Sequence, residues 1–232
     1  TGHFENEGVD AKITRMQYVE RAVRSAQLSG EHQLASQKLD WSVTSSGVRR
    51  DEPDRSEFVQ SIRKASNGSE VLRWWNTGNE GAVRTFSTLT ESSNEGKANY
   101  QLSMHAFDRE HSIRIGGLAR TTNRDADTRA YSISAPGATD AVVSLDPQQI
   151  FDGRFTKPND SVFVIAPLSQ GGSYDASDRL SAGYVMGEIS LSDRARLVGG
   201  ARYEDDQLTI NAFSTLGSPV TVTKHWKDIL PS

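Results

Sequence analysis

Lys97-Ala98-Asn99-Tyr100-Gln101-Leu102-Ser103-Met104 decides the fold. Ala98, Tyr100, Leu102 and Met104 alternate with Lys97, Asn99, Gln101 and Ser103. Successive side chains of an extended strand point to opposite faces, so this octet has one apolar and one polar face. A helix would scatter the same residues around its circumference.

The same period recurs on both sides of the octet. Leu39, Trp41 and Val43 alternate with Asp40, Ser42 and Thr44. Ile113 and Ile115 stand opposite Ser112 and Arg114. Leu180, Ala182, Tyr184 and Met186 share a face. Leu197, Gly199, Ala201 and Tyr203 oppose Arg196, Gly200, Arg202 and Glu204, with Val198 the exception. Leu208, Ile210 and Ala212 oppose Gln207, Thr209 and Asn211. Such runs are the mark of antiparallel sheets with two unlike faces. Residues 12–28 are ambiguous. Ile13, Met16, Val19, Val23 and Ala26 sit close to helical spacing, so this stretch reads as either an amphipathic helix or a strand.

The connections fall into two length classes. Short ones are expected at Gly30-Glu31-His32, Ala106-Phe107-Asp108-Arg109 and Ser192-Asp193-Arg194. Long ones are expected at about 50–80 and 122–178, which carry Pro53, Asn67-Gly68, Gly78, Pro136-Gly137, Pro147, Pro158 and Gly171-Gly172, all turn formers. Alternating short and long connections are what a transmembrane barrel requires, with short periplasmic turns and long extracellular loops.

Composition agrees. The chain has 232 residues, 35% of them hydrophobic, no cysteine and a net charge of −4. Without cysteine there is no thiolate metal site, thiol nucleophile or disulfide framework. A net negative charge speaks against nucleic acid as a partner. No apolar run approaches the ~18 residues of a spanning helix, but a barrel strand needs only ~9–11, and only alternate ones meet lipid.

Several ordered segments resemble TonB-dependent outer-membrane receptors. Residues 39–58 look like a barrel strand entering its extracellular loop, with Arg50-Asp51-Glu52-Pro53-Asp54-Arg55 the most distinctive part. Residues 174–191 look like the return from a long loop, residues 196–204 like the next strand, and residues 226–232 like a strand heading back to the periplasm. The resemblance spans most of 14–232 and favours strand over helix at 12–28. It implies a mostly β fold: an antiparallel meander of amphipathic strands, part of a transmembrane β-barrel with long extracellular loops. Barrels of that family have ~22 strands around a plug. The period-two reading gives roughly seven. Residues 1–232 therefore read as one partial barrel domain, an internal segment without plug, TonB-box-like segment or remaining strands.

The resemblance further implies a receptor in the outer membrane of a Gram-negative-type bacterium, for energised uptake of a siderophore, vitamin or oligosaccharide. Its partners would be outer-membrane lipid, the extracellular nutrient, and a TonB complex acting through the plug. The alternative is a soluble β-rich carbohydrate- or ligand-binding module. No enzyme activity, cofactor or metal is expected. No serine sits in a Gly-x-Ser-x-Gly elbow, and His3, His32, His105, His111 and His225 show no HExxH spacing.

Other features carry weaker expectations. Arg73-Trp74-Trp75-Asn76 lies in the first long loop, where adjacent aromatics could stack on a sugar or grip an apolar ligand; the competing reading is loop packing. Tyr18, Trp41, Trp74, Trp75, Tyr100, Tyr184, Tyr203 and Trp226 are read as interfacial anchors against ordinary core aromatics. Asp51-Glu52, Asp125–Asp127 and Asp205-Asp206 stand beside arginines and read as a solvated, charge-balanced rim. Asn67-Gly68-Ser69 and Asn159-Asp160-Ser161 match a glycosylation pattern by chance.

Overall fold

The computed structural model describes residues 2–4, 9–156, 162–168, 172–214 and 217–231. Asn159-Asp160-Ser161, Pro158 and Gly171 lie outside the described residues. The strands are β1 (Gly2–Phe4), β2 (Val9–Gln17), β3 (Glu20–Leu34), β4 (Gln37–Lys64), β5 (Glu70–Trp74), β6 (Ala82–Ala106), β7 (Arg109–Ser134), β8 (Val164–Leu168), β9 (Tyr174–Ser192), β10 (Ala195–Phe213) and β11 (Pro219–Pro231). Two one-turn helices, α1 (Asp140–Val143) and α2 (Pro147–Ile150), interrupt the connection between β7 and β8.

All strands belong to one 11-stranded sheet, and every pairing is antiparallel. The architecture is thus an antiparallel meander, and the sheet does not close into a barrel. Residues 12–28 are strand. β2 and β3 together run along β4, with a break at Tyr18-Val19. The near-helical spacing there is overruled because a lone edge of β4 supplies hydrogen-bond partners for the whole segment.

The short connections are two-residue turns. Phe107 and Asp108 both have positive φ, 53° and 56°, the conformation a type I′ hairpin demands. Asp193-Arg194 joins β9 to β10 where expected. The first turn is displaced from the expected Gly30-Glu31-His32 to Ala35-Ser36. Gly30 instead lies within β3 beneath Trp41, whose indole is 2.7 Å from where a Cβ would stand. The glycine there makes room for a ring rather than a turn.

The long connections are mostly strand. β4 continues through residues 50–64, and only 65–69 and 75–81 are irregular within the expected 50–80 loop. Residues 122–134 continue β7, and residues 174–178 begin β9. The charged residues in these stretches have low strand preference, but a neighbouring ladder and cross-strand charge pairs override it. Arg84 with Asp54 and Arg124 with Glu91 are such pairs. β4 bulges once, where Pro53 and Asp54 together stand opposite Phe86 between the pairs Glu52↔Ser87 and Arg55↔Thr85. Proline has no N–H to donate, so a bulge is where a strand can hold it.

The buried apolar cluster sits at the far end of the sheet from the short turns. Phe58, Trp74, Ala82, Ala135, Val143 and Ile150 form it, with Ile133, Leu145 and Phe163 packed against it. Phe58 stacks on Trp74 at 5.6 Å, and Phe151 meets both rings edge-on. Asp146 and Gln149 make a capping box, which with Pro147 starts α2 and turns Ile150 into the cluster.

Candidate functional site: a concave wall above an apolar band

Register decides which side chains share a face. Leu39↔Tyr100↔Ile115↔Val185↔Ala201 is one row across the sheet. Adjacent rows hold Trp41, Ala98, Gly117 and Tyr203, and Leu102, Ile113, Gly187 and Gly199. Towards the short turns Met104, Ile189 and Leu197 continue the same face. Leu28, Leu34 and Ile229 extend it onto the two outermost strands, β3 and β11. Most large side chains of this band are open to solvent, Leu39 at 38% and Ile229 at 75% among them, while Trp41, Tyr100 and Leu102 are half-buried.

The opposite face is mostly polar at this level, with Leu118, Ala182 and Met186 the apolar exceptions, and it is internally bonded. Asn99 Nδ2 donates to Asp40 Oδ2 at 2.6 Å, and the Tyr184 hydroxyl donates to Asn99 Oδ1 at 2.9 Å. Arg114 Nη2 donates to Gln101 Oε1 at 2.7 Å. Tyr184 lies across Gly116, where a Cβ would stand 2.5 Å from the ring and 2.4 Å from Asn99 Oδ1. This face is concave. Along β10, Arg202, Glu204, Asp206, Leu208, Ile210 and Ala212 are partly buried, while on the other face Ala201, Tyr203, Gln207 and Asn211 are exposed and Asp205 and Thr209 partly buried.

Two sequence expectations are corrected here. Leu180, Ala182, Tyr184 and Met186 do share a face, but it is the concave one, and β9 offers Val185 and Ile189 to the band. Among the anchors, Trp41, Tyr100 and Tyr203 lie on the band face. Tyr184 and Trp226 lie on the concave face, and Trp74 is in the buried cluster.

Above the band the polarity of the two faces exchanges. On the band side come Ser45, Asn94, Thr121, Asn123, Ser177 and Thr209, all polar. On the concave side one continuous row crosses seven strands. Val23 pairs with Val48, which pairs with Glu91; Glu91 pairs with Arg124; then follow Ala176, Ile210 and Val222. An ion pair thus sits in the middle of an apolar row. Arg124 Nε donates to Glu91 Oε2 at 2.7 Å, and Nη2 donates to the same oxygen. Glu91 and then Tyr174 hold the Arg124 guanidinium above its ordinary pKa. Two adjoining cavities, about 650 and 430 Å³, share Glu91, Arg124 and Ala176 in their linings.

A second charged group lies one step towards the band. Asp178 Oδ2 is 3.7 Å from Arg120 Nη2. Asp206 is raised above the usual carboxylate range by its hydrogen bond with Asp178, then by burial. Farther up, Glu52 is 2% exposed and accepts from Gln17 Nε2 at 2.5 Å and Arg50 Nη2 at 3.0 Å. It is therefore a buried tie between β2 and β4, not part of a solvated rim.

The four residues expected to meet ligand are brought together as packing. Trp74 is 2% exposed and donates from Nε1 to Gly81 O at 3.0 Å. Asn76 Nδ2 donates to Ala135 O at 2.6 Å, and Ala135 N donates to Asn76 O at 2.7 Å. Arg73 pairs with Asp140 at the start of α1. Trp75 contacts Gly78 and Gly81. They pin residues 135–140 to the sheet. The wall residues Glu91, Ala176 and Val222 went unmarked in the sequence, and Arg124 was marked only as an arginine of the charge-balanced rim. Period two assigns faces within a strand but does not say which faces of different strands agree. Among the described residues, no three histidine or acidic side chains gather as a metal site requires.

No family model and no curated protein matches the chain. Among solved structures it is similar to the siderophore receptor PiuA from Acinetobacter baumannii. The TM-score is 0.30 at 10% identity, over 95% of this chain and 44% of that one. The chain thus spans less than half of that receptor's length. A likeness so slight carries no argument. What the coordinates define is the class: a single curled antiparallel sheet with an apolar outer band and a polar concave face.

Proposed function

We propose that this chain is wall and outer-loop scaffold of an outer-membrane receptor barrel for energised nutrient uptake. The carrying observation is the exposed apolar band. Exposed patches of this extent on a water-soluble protein cost tens of calories per Å² and invite association. Facing hydrocarbon, the same side chains are at home, since only alternate residues of a tilted crossing strand meet lipid. The two-residue turns end the strands just beyond the band on one side. On the other side the strands project well past it and carry the packed segment 135–151. This division favours a periplasmic and an extracellular end. A soluble sandwich would need a second sheet over the band, and the described residues form one sheet only.

In this reading the protein performs no chemistry. The band meets outer-membrane lipid, the concave wall faces captured nutrient, and a TonB complex acts through a plug domain. The chain has no cysteine, so single-cysteine variants report cleanly. Reconstituted in lipid, Ala98→Cys, Tyr100→Cys and Leu102→Cys should react with a lipid-soluble probe, while Asn99→Cys and Gln101→Cys should not. Equal labelling of both sets, or a cooperative melt of detergent-free monomer, overturns the proposal.

A further inference from the structure

We infer that the concave wall above the band binds an aliphatic monocarboxylate, with the alkyl chain along Ala176, Ile210 and Val222 and the carboxylate on Arg124. The inference deepens the receptor-wall reading and rests on it. Its first ground is the exchange of polarity. A wall that only enclosed water would stay polar along its whole concave side, as it is at the level of Asp40, Asn99 and Tyr184. Instead five of the seven positions in one row are alanine, valine or isoleucine.

The second ground is the ion pair inside that row. A partly exposed cross-strand pair of this kind helps the ladder only modestly, and the ladder does not require it to stand in the middle of an apolar row. Its two partners are unequally covered: the Arg124 side chain is 46% exposed and the Glu91 side chain 21%. The accessible pole is the cation. Both guanidinium bonds end on one oxygen of Glu91 rather than forming the two-oxygen fork of a saturated arginine–carboxylate pair. An incoming carboxylate can complete that geometry.

The third ground is charge. This row and the rows on either side contain Arg21, Arg50, Arg124 and Lys224 against Glu91 and Asp178, four cations and two anions, or +2. The whole chain is −4. The wall is a local cationic field on an acidic protein, which attracts anions. It lacks the flat run of aromatic rings that would favour a sugar, since Tyr174 alone is close.

Titration calorimetry of the chain in lipid nanodiscs tests this, with empty discs subtracted. Decanoate should bind, 1-decanol at least tenfold more weakly, and acetate not measurably. Arg124→Gln should weaken decanoate at least tenfold and leave 1-decanol unchanged, Arg124→Lys should restore most of the loss, and Ile210→Ser should weaken both ligands. Circular dichroism of each variant checks folding. Equal affinity for decanoate and 1-decanol, or an Arg124→Gln variant that binds decanoate like the parent, overturns the inference. So does no binding of decanoate at all, as when other protein covers the wall. The cysteine-labelling pattern is read separately. If it holds while decanoate fails, the ligand class falls and the receptor wall stands.

Discussion

The lower and upper halves of the same strands treat apolar side chains in opposite ways. Below, Ile115, Val185 and Leu197 stand on the convex face with nothing over them, and the concave face is a hydrogen-bonded polar surface. Above, the convex face turns to serine, threonine and asparagine, the concave face turns apolar, and the 135–163 connection builds a small protein core of its own. Backbone geometry does not change between the halves; β6 and β7 pair without a break from Val83↔Ser132 to Ala106↔Arg109. The difference is one of solvent. A continuous ladder passes through two media, and the side chains record where one gives way to the other.

The strongest way to break the upper half is to remove its core. Trp74→Ala takes away a ring stacked on Phe58 and the donor to Gly81 O, leaving a cavity. The expected loss is about 3–5 kcal/mol of local stability, read as collapse of hydrogen-exchange protection at residues 135–151. The lower half should keep its protection and its labelling pattern. Should protection fall evenly over both halves, the core is not a separate unit and the comparison fails.

The lower half is tested by charge. Ile115→Arg places a guanidinium at the centre of the band. In lipid it should cost about 2–4 kcal/mol, as lipid-facing arginine does at the midplane. Asn123→Arg, four rows higher on the same face of β7, should change stability by less than about 0.5 kcal/mol. Denaturant titration of both variants in the same vesicles gives the contrast. Similar small effects from both would mean that the band does not face hydrocarbon.

The polar side of the lower half has its own test at Gly116. A Cβ there would enter both the Tyr184 ring and Asn99 Oδ1. Gly116→Ala should displace Tyr184, break its bond to Asn99 and cost about 1–3 kcal/mol. Adding Tyr184→Ala to it should recover part of that loss, because the ring is what the methyl meets. Gly96→Ala, where a Cβ meets nothing within 4 Å, is the control.

How much of this was legible in the sequence follows from what periodicity contains. Alternation in 97–104 and 196–204 gave strands and their two faces, since each run is long and regular. It could not say that Leu208 and Ile210 share a face with Asp40, because that depends on counting residues through the turns and bulges between them. Turn chemistry located Phe107-Asp108 but misplaced the first turn, because a glycine that admits a ring looks the same as a glycine that admits a bend. The long loops were read from proline, glycine and charge. In fact most of those residues extend strands beyond the band, where charged partners across the ladder replace the apolar alternation that marks a strand. Arg73-Trp74-Trp75-Asn76 was noticed for its chemistry, and its actual partners lie about 60–75 residues away in the 135–151 segment, beyond the reach of local pattern.

The smallest expected effect lies at the border between the halves, at Asp206. It stands above Tyr203, the last band residue on β10, and neighbours Asp178, which in turn lies beside Arg120. Its pKa is raised in the folded chain, from an unfolded value of about 3.9. Between those two values the folded state binds more protons than the unfolded state, so stability falls as pH rises through that window. The stabilising proton is fully in place below the unfolded value and lost above the folded one. Asp206→Asn removes the second carboxylate but keeps a donor to Asp178. Its stability should therefore run flatter than the parent's across that window and exceed it slightly at pH 7. Denaturant midpoints at several pH values from acid to neutral check the slope. A parent curve that rises with pH there would mean that Arg120 neutralises both carboxylates, and that the border row carries no excess negative charge to separate it from the cationic wall above.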